Sequence, residues 1–182
     1  MSEQPALMPA ASLASMNRDE LAAALRPLWE DARPIADRLH GRRFDSWADL
    51  IGAVEQEIGV ATDEWKAEVL RAHPRLGENP ERLKTRSRES WSEQRAGGDL
   101  DAATAARLKE LNRRYETKFG FPFVEWVAGR PLDEIAEVME SRLGNCRADE
   151  LDKGSAALVA IARARLRRIE TLTACSGEGT VL

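Results

Sequence analysis

The sequence is poor in the residues from which cross-links and metal sites are made. Its 182 residues include two cysteines, two histidines and one tyrosine. Cys146 and Cys175 are too few for a disulfide scaffold and do not form a Cys-x-x-Cys pair. His40 and His73 cannot build a histidine-rich zinc site. The sequence therefore predicts a protein of a reducing compartment without a metal ion.

Long apolar runs and an excess of positive charge are also absent. The longest apolar run is only a few residues, which excludes a transmembrane helix. Lys and Arg total 27 against 31 Asp and Glu, and the net charge of -4 argues against a nucleic-acid binder. With 43% hydrophobic and 32% charged residues, the chain can bury the core of one ordinary domain. We expect a cytoplasmic protein with no nucleic-acid or membrane partner.

Both ends of the chain look different from the middle. Residues 1–16 are small and polar, with no basic stretch before an apolar one, so we interpret them as a flexible leader and not a secretion signal. Residues 171–182 are predicted to be a flexible tail, and their last three residues are not the peroxisomal Ser-Lys-Leu signal. The folded domain is predicted over residues 17–170.

Apolar residues in this domain recur at helical spacing nearly everywhere, and strand-like alternation is nearly absent. Residues that favour helix starts precede six apolar stretches: Asn17, Pro34, Ser46, Thr62, Asp101 and Pro131. A further helix is predicted over about 87–96, before a Gly-Gly pair, and a last helix over about 149–169. The predicted fold class is all-α, a single-domain bundle of about eight helices.

His73 falls on the apolar stripe of the helix that Thr62 starts, and Pro74 follows it. Because proline disfavours helical conformation in the residue before it, the imidazole is predicted to lie at the end of this helix, facing the core or a cleft. A structural role, as a cap or a buried histidine bonded to a carbonyl, is the simpler interpretation. The adjoining Pro/Gly loop favours a catalytic role.

Ser90, Glu93 and Gln94 stand at i, i+3 and i+4 and share one face of a predicted helix. Hydroxyl, carboxylate and amide groups on one face can bind a small molecule rich in amides and carbonyls. The alternative is that Ser-x-x-Glu is a capping box on a face that points to water.

Three of the four phenylalanines occur in the stretch 119–124, threaded by a glycine and a proline. Neither a helix nor a regular strand tolerates this pattern, which predicts a buried but irregular backbone. Its amide and carbonyl groups need partners, which a ligand could supply. The alternative is a hydrophobic plug between two helices.

Arg165 lies within the apolar stripe of the last helix. A buried arginine is costly unless it meets an anion. The partner is either a structural glutamate or the carboxylate of a substrate, and we favour the substrate.

Together these segments resemble 2-oxo-4-hydroxy-4-carboxy-5-ureidoimidazoline (OHCU) decarboxylase. The resemblance rests on His-Pro at 73–74, Glu-Ser-x-x-Glu-Gln at 89–94, and Leu-Asn-x-x-Tyr-x-x-Lys-Phe-Gly-Phe-Pro-Phe-Val at 111–124. It runs from about Leu13 to Ile169 and closes with Ile-Ala-x-x-Arg-Leu at 161–166. It implies an all-helical carboxy-lyase of urate degradation that uses no cofactor, forms a homodimer and produces (S)-allantoin.

The resemblance also implies the site residues. It identifies His73 as the catalytic general acid/base, with Glu93 either orienting the imidazole or holding the ureido nitrogens. The predicted substrate contacts are Pro74, Ser90, Trp91, Ser92, Glu93, Gln94, Phe123, Val124, Glu125, Trp126, Val127 and Arg165. Arg75 and the Glu125-Trp126 pair depart from the residues common in the family, which affects substrate contacts more than the reaction.

Two alternatives come from the same residues. One is a catalytically silent helical interaction module, which the retention of His73, Glu93 and Arg165 argues against. The other is a decarboxylase of a related ureido acid, which the Glu125-Trp126 departure leaves open.

Overall fold

The computed structural model of the chain describes residues 7–77, 90, 92, 93 and 101–177, with side chains up to residue 174. These residues contain seven α-helices, one 3-10 helix and no strand. The 3-10 helix spans Ala10–Ser15. The α-helices are α1 (Arg18–Leu25), α2 (Arg33–Leu39), α3 (Trp47–Val60), α4 (Asp63–Arg71), α5 (Ala102–Phe119), α6 (Leu132–Arg142) and α7 (Arg147–Gly177). The predicted all-α fold is confirmed.

The chain divides into two compact units, one of Met1–Val60 with Val159–Leu182 and one of Ala61–Leu158. In the first unit α1 packs on α2 and α2 on α3, and in the second α5 packs on α6. Fully buried residues of the first unit include Leu13, Leu21, Leu25, Leu28, Ile35, Leu39 and Leu50. Those of the second include Leu70, Leu108, Tyr115, Phe119, Phe121, Phe123, Ile135 and Met139.

Side-chain caps start the helices where the sequence predicts them. Asn17 forms a capping box with Glu20, accepting from the Glu20 amide at 3.0 Å while the Glu20 carboxylate accepts from the Asn17 amide at 2.9 Å. The side chains of Thr62 and Asp101 cap α4 and α5 by accepting from the backbone amides of Trp65 and Thr104. Each cap satisfies donors that the first helical turn leaves without an intrahelical partner.

The described parts of the predicted leader and tail contain helical residues. Within the predicted leader, residues 10–15 form the 3-10 helix, and Leu13 is buried. At the other end α7 continues past the predicted stop at Ile169 to Gly177, with exposed residues over 171–174. No proline or glycine interrupts this stretch before Gly177, so nothing in it breaks the helix. The domain bounds 17–170 stay a prediction.

The helix predicted over about 87–96 lies mostly outside the described residues. Of that stretch the structure describes Ser90, Ser92 and Glu93, which are helical.

A buried ionic network holds the second unit together around Arg142, the last residue of α6. Its Nε donates to Glu150 Oε2 at 2.8 Å and its Nη1 to Glu125 Oε2 at 2.9 Å. Glu150, which is 0% exposed, also accepts from the Tyr115 hydroxyl and from Asn145 Nδ2. Burial, followed by the hydrogen bond to Glu150, raises the pKa of the Tyr115 phenol, which therefore stays a donor at neutral pH.

Replacing Glu150 by Gln is expected to lower the free energy of unfolding by about 3–5 kcal/mol, because Arg142 then keeps only the half-buried Glu125 as counter-charge. Urea denaturation measures the change. The matched control is Glu137→Gln on the exposed side of α6, expected to cost under about 0.5 kcal/mol. Equal losses in the two variants would contradict a neutralising role for Glu150.

Candidate active site

The end of α4 places His73 as the sequence predicts. Ala72 is the helix C-cap, and the backbone amide of His73 donates to the carbonyl of Leu70 at 3.1 Å. This bond spans three residues instead of four, so it tightens the last turn before Pro74 ends the helix. His73 is half-buried and Pro74 is buried. The imidazole thus belongs to an irregular stretch that starts at a rigid helix end.

His73 lines a cavity of about 370 Å³ within the second unit. The lining residues are Arg71, His73, Arg75, Glu116, Gly120, Phe121 and Pro122. The cavity therefore brings the predicted catalytic histidine next to the start of the phenylalanine-rich stretch, which sequence reasoning singled out independently. Two arginines and one glutamate give its wall charges of both signs.

The Arg75 guanidinium forms a two-pronged ion pair with the Glu116 carboxylate, with Nη2 to Oε2 at 2.6 Å and Nε to Oε1. Arg71 Nε donates to the carbonyl of Gly120 at 2.9 Å, and its Nη1 pairs with Glu64 at 2.8 Å. The hydrogen bond and charge of Arg71 lower the pKa of the Glu64 carboxyl group. Arg75 is thus held by α5, and Arg71 is held by α4 and by the glycine that follows α5.

Of the predicted substrate-binding stretch 90–94, the structure describes Ser90, Ser92 and Glu93. Ser90 is buried with 2% exposure, and Ser92 and Glu93 are half-buried. Ser90 itself therefore does not point to water, and the binding of a substrate by this face stays a prediction. Trp91 and Gln94 lie outside the described residues.

An irregular backbone was predicted over 119–124; Phe119 is still helical, and the irregular stretch runs over residues 120–127, of which most are buried. Phe123, Val124 and Val127 are buried, whereas Trp126 is 41% exposed. The stretch ends in a tight turn in which Ala128 and Gly129 have φ of 53° and 77°. Because the Phe123 and Val124 side chains are buried, their predicted contact with a substrate would have to use the backbone.

Glu125 was predicted to contact the substrate, and its carboxylate already bridges two arginines. Oε1 accepts from Arg130 Nη2 at 2.7 Å and Oε2 from Arg142 Nη1 at 2.9 Å. Arg142 also lies over the Phe123 ring, with its guanidinium carbon 4.6 Å from the ring centroid. The structure therefore joins Phe123 and Glu125 through an arginine that sequence reasoning missed.

Arg165 belongs to the first unit and is 1% exposed. Its Nη2 pairs with Glu30 Oε1 at 2.8 Å, and its Nη1 donates to the carbonyl of Leu28 at 3.1 Å. A structural glutamate, one of the two predicted partners, therefore pairs with Arg165 in the free protein. A contact between Arg165 and a substrate stays a prediction.

Besides Arg142, the sequence analysis gave no structural role to Asn112. It is 6% exposed, and its Nδ2 donates to the carbonyl of Leu76 at 2.8 Å. An asparagine between Leu108, Leu111 and Tyr115 on an otherwise apolar face was the available signal.

Within the described residues, no group of three or more His, Cys, Asp or Glu side chains is arranged to hold a metal ion. No helix in this part of the chain is long and apolar enough to cross a membrane.

Comparison with known proteins agrees with the fold and with the motifs. The sequence matches the OHCU decarboxylase family over residues 14–167. It is 30% identical over 162 residues to the 2-oxo-4-hydroxy-4-carboxy-5-ureidoimidazoline decarboxylase of Haloferax volcanii, covering 85% of this chain and 94% of that protein. It is 32% identical over 162 residues to the uric acid degradation bifunctional protein PucL of Bacillus subtilis, covering 87% of this chain and 32% of that protein.

A solved structure shares the fold. The crystal structure of OHCU decarboxylase in the presence of (S)-allantoin aligns with a TM-score of 0.62 at 20% identity, over 86% of this chain and 98% of that one. The helical fold of this chain is thus one that a solved OHCU decarboxylase shares. The chain belongs to the OHCU decarboxylase family.

Replacing Arg165 by Met is expected to lower the free energy of unfolding by about 3–5 kcal/mol, because it leaves the Glu30 side chain, 5% exposed, without this cation. Thermal and urea denaturation measure the loss. Arg163→Met on the same helix is the control, since its partner Glu55 is about half exposed and the pair contributes at most about 1 kcal/mol. A melting temperature equal to that of the control would show that Arg165 does not stabilise the free protein.

Proposed function

We propose that the chain decarboxylates 2-oxo-4-hydroxy-4-carboxy-5-ureidoimidazoline to (S)-allantoin, with His73 as general acid/base and without a cofactor. The observation that carries this proposal is the family match over residues 14–167 together with His73 lining a cavity beside the 121–122 stretch. The substrate is a small molecule, and the cavity of about 370 Å³ is of the size that small molecules occupy.

The chemistry of the substrate explains why a protein without a cofactor suffices. The carboxylate and a hydroxyl share one ring carbon, next to a ring C=N carbon that carries the ureido group. When the bond to CO2 breaks, its electron pair moves toward this C=N, so the substrate is its own electron sink. The ring nitrogen that receives the electron pair takes up one proton, and a second proton is added at the ureido carbon. The hydroxyl loses its proton to become the carbonyl of allantoin.

The protein must therefore supply position, a proton on one face, and stabilisation of developing charge. Histidine is the side chain that most often transfers protons in general acid/base catalysis, and His73 lines the cavity. Delivery from one side of the ring yields one enantiomer, whereas protonation by solvent yields both. Glu93 orients the imidazole or holds the ureido nitrogens, and the Ser90 hydroxyl and the backbone of 123–127 bind the ring amides.

We also propose a cytoplasmic homodimer. Both statements rest on the family resemblance, and sedimentation of the purified protein measures the oligomeric state directly.

The direct test uses OHCU made freshly from urate by uricase and the hydrolase that follows it. Protein treated exhaustively with a chelator is expected to speed the development of optical activity, because no metal takes part in the proposed reaction. Loss of activity on chelation that one metal restores would contradict the cofactor-free mechanism. No acceleration by the untreated protein would contradict the substrate, and a chain active on another ureido acid would then be the better description.

Replacing His73 by Asn is expected to lower kcat by roughly 10²–10⁴-fold with the fold retained, since general acid-base catalysis contributes about that much. Circular dichroism checks the fold, and polarimetry measures the rate. The chain offers a matched control, because its other histidine, His40, is exposed at the end of α2. His40→Asn is expected to retain full activity, and a folded His73→Asn variant of equal activity would refute the assignment.

A further inference from the structure

The contacts of helix α5 with the segment 71–77 follow a regular order. Residues spaced by four along this helix, and the glycine after it, each meet one residue of the segment, in antiparallel order. The contacts are Leu108 with Gly77, Asn112 with Leu76, Glu116 with Arg75, and Gly120 with Arg71. His73 and Pro74 lie between the last two of these contacts, those of Arg75 and Arg71. One side of α5 therefore fixes the segment before and after the histidine.

The contacts closest to Gly77 are tight. A Cβ atom added at Gly77 would lie 3.0 Å from Leu108 Cδ1, and the φ of +68° at Gly77 favours glycine. Asn112 Nδ2 donates to the Leu76 carbonyl at 2.8 Å in a buried position. The backbone that follows the histidine therefore cannot shift along α5 without breaking a buried hydrogen bond and a close contact.

The Arg75–Glu116 pair has a geometry that stability alone does not require. It is two-pronged, yet the Arg75 side chain is 60% exposed and the Glu116 side chain 25% exposed. Ion pairs with this exposure contribute little to the stability of a fold. A two-pronged arginine pair, however, fixes direction as well as distance. Both residues line the His73 cavity, and Arg75 is two residues from the histidine.

We propose that Arg75, held by Glu116, is a positioning residue that sets the place of the His73 imidazole in the cavity. This inference rests on the proposed function of His73. With Pro74 limiting the backbone between them, the direction of the Arg75 side chain determines how the peptide after His73 is oriented. Reactions that depend on an oriented proton donor lose rate steeply with small displacements of that donor.

The chain offers a matched control for this pair. On the same helix, Arg113 forms a two-pronged pair with Glu110 at 2.6 and 2.9 Å, and its side chain is 66% exposed. Neither residue lines the cavity. Arg75→Met and Arg113→Met therefore each remove a two-pronged pair with a glutamate of α5, and only the Arg75 pair lies next to His73.

The experiment compares kcat, KM, melting temperature and, with enzyme in excess over substrate, the enantiomeric excess of allantoin. Arg75→Met is expected to lower kcat roughly tenfold and to reduce the enantiomeric excess, with KM within about twofold of the wild type. Its melting temperature is expected to match that of Arg113→Met. Arg75→Lys should recover only part of kcat, because an ammonium group cannot form the two-pronged pair. The double variant Arg75→Met/Glu116→Gln should be no slower than Arg75→Met.

Three results would overturn the proposal while leaving the proposed function intact. The first is an Arg75→Met variant with the kcat of Arg113→Met. The second is a raised KM with unchanged kcat, which would make Arg75 a substrate-binding residue. The third is a melting temperature well below that of Arg113→Met, which would make the role of Arg75 structural. A wild-type protein without activity on OHCU would overturn the proposed function, and the positioning role with it.

Discussion

Arg142 brings a full positive charge into the interior of the unit 61–158, and the packing of the irregular stretch 123–127 depends on its neutralisation. Its side chain is 8% exposed and pairs with Glu125 and Glu150. Buried pairs of this kind seldom add much net stability, but removing one partner is costly. Because Glu125 belongs to the irregular stretch and Glu150 to α7, the same charge ties both to the end of α6.

The helical part of the fold follows from local sequence. Caps such as Asn17 and Thr62, and a glycine such as Gly120 with φ of 82°, start or end helices through contacts within a few residues. Patterns that act over such short distances can be read from one sequence. The end of α7 could not be predicted in this way. Its residues 171–174 are exposed, so the apolar pattern does not show that the helix continues there.

For the candidate site, the sequence indicates which residue types are buried but not which residues pair with each other. The argument that singled out Arg165, a cation within an apolar stripe, applies equally to Arg142, which follows Ile135 and Met139 at helical spacing on α6. The apolar stripe does not identify the carboxylate that pairs with each arginine. Glu30 is 135 residues from Arg165, and Glu150 is 8 residues from Arg142. Choice of partner is a tertiary property. His73 was easier to place, since Pro74 defines the end of its helix locally.

The turn after Val127 has a consequence for sequence variation. Ala128 has a φ of 53°, where a side chain costs about 1–2 kcal/mol relative to the right-handed region. Glycine would remove that cost, but it would give the unfolded chain more freedom, which lowers stability by about 0.4–1 kcal/mol. The two effects offset each other in part. Position 128 is therefore one at which evolution can change the backbone freedom of the neighbouring 123–127 stretch with a comparatively small effect on the stability of the fold.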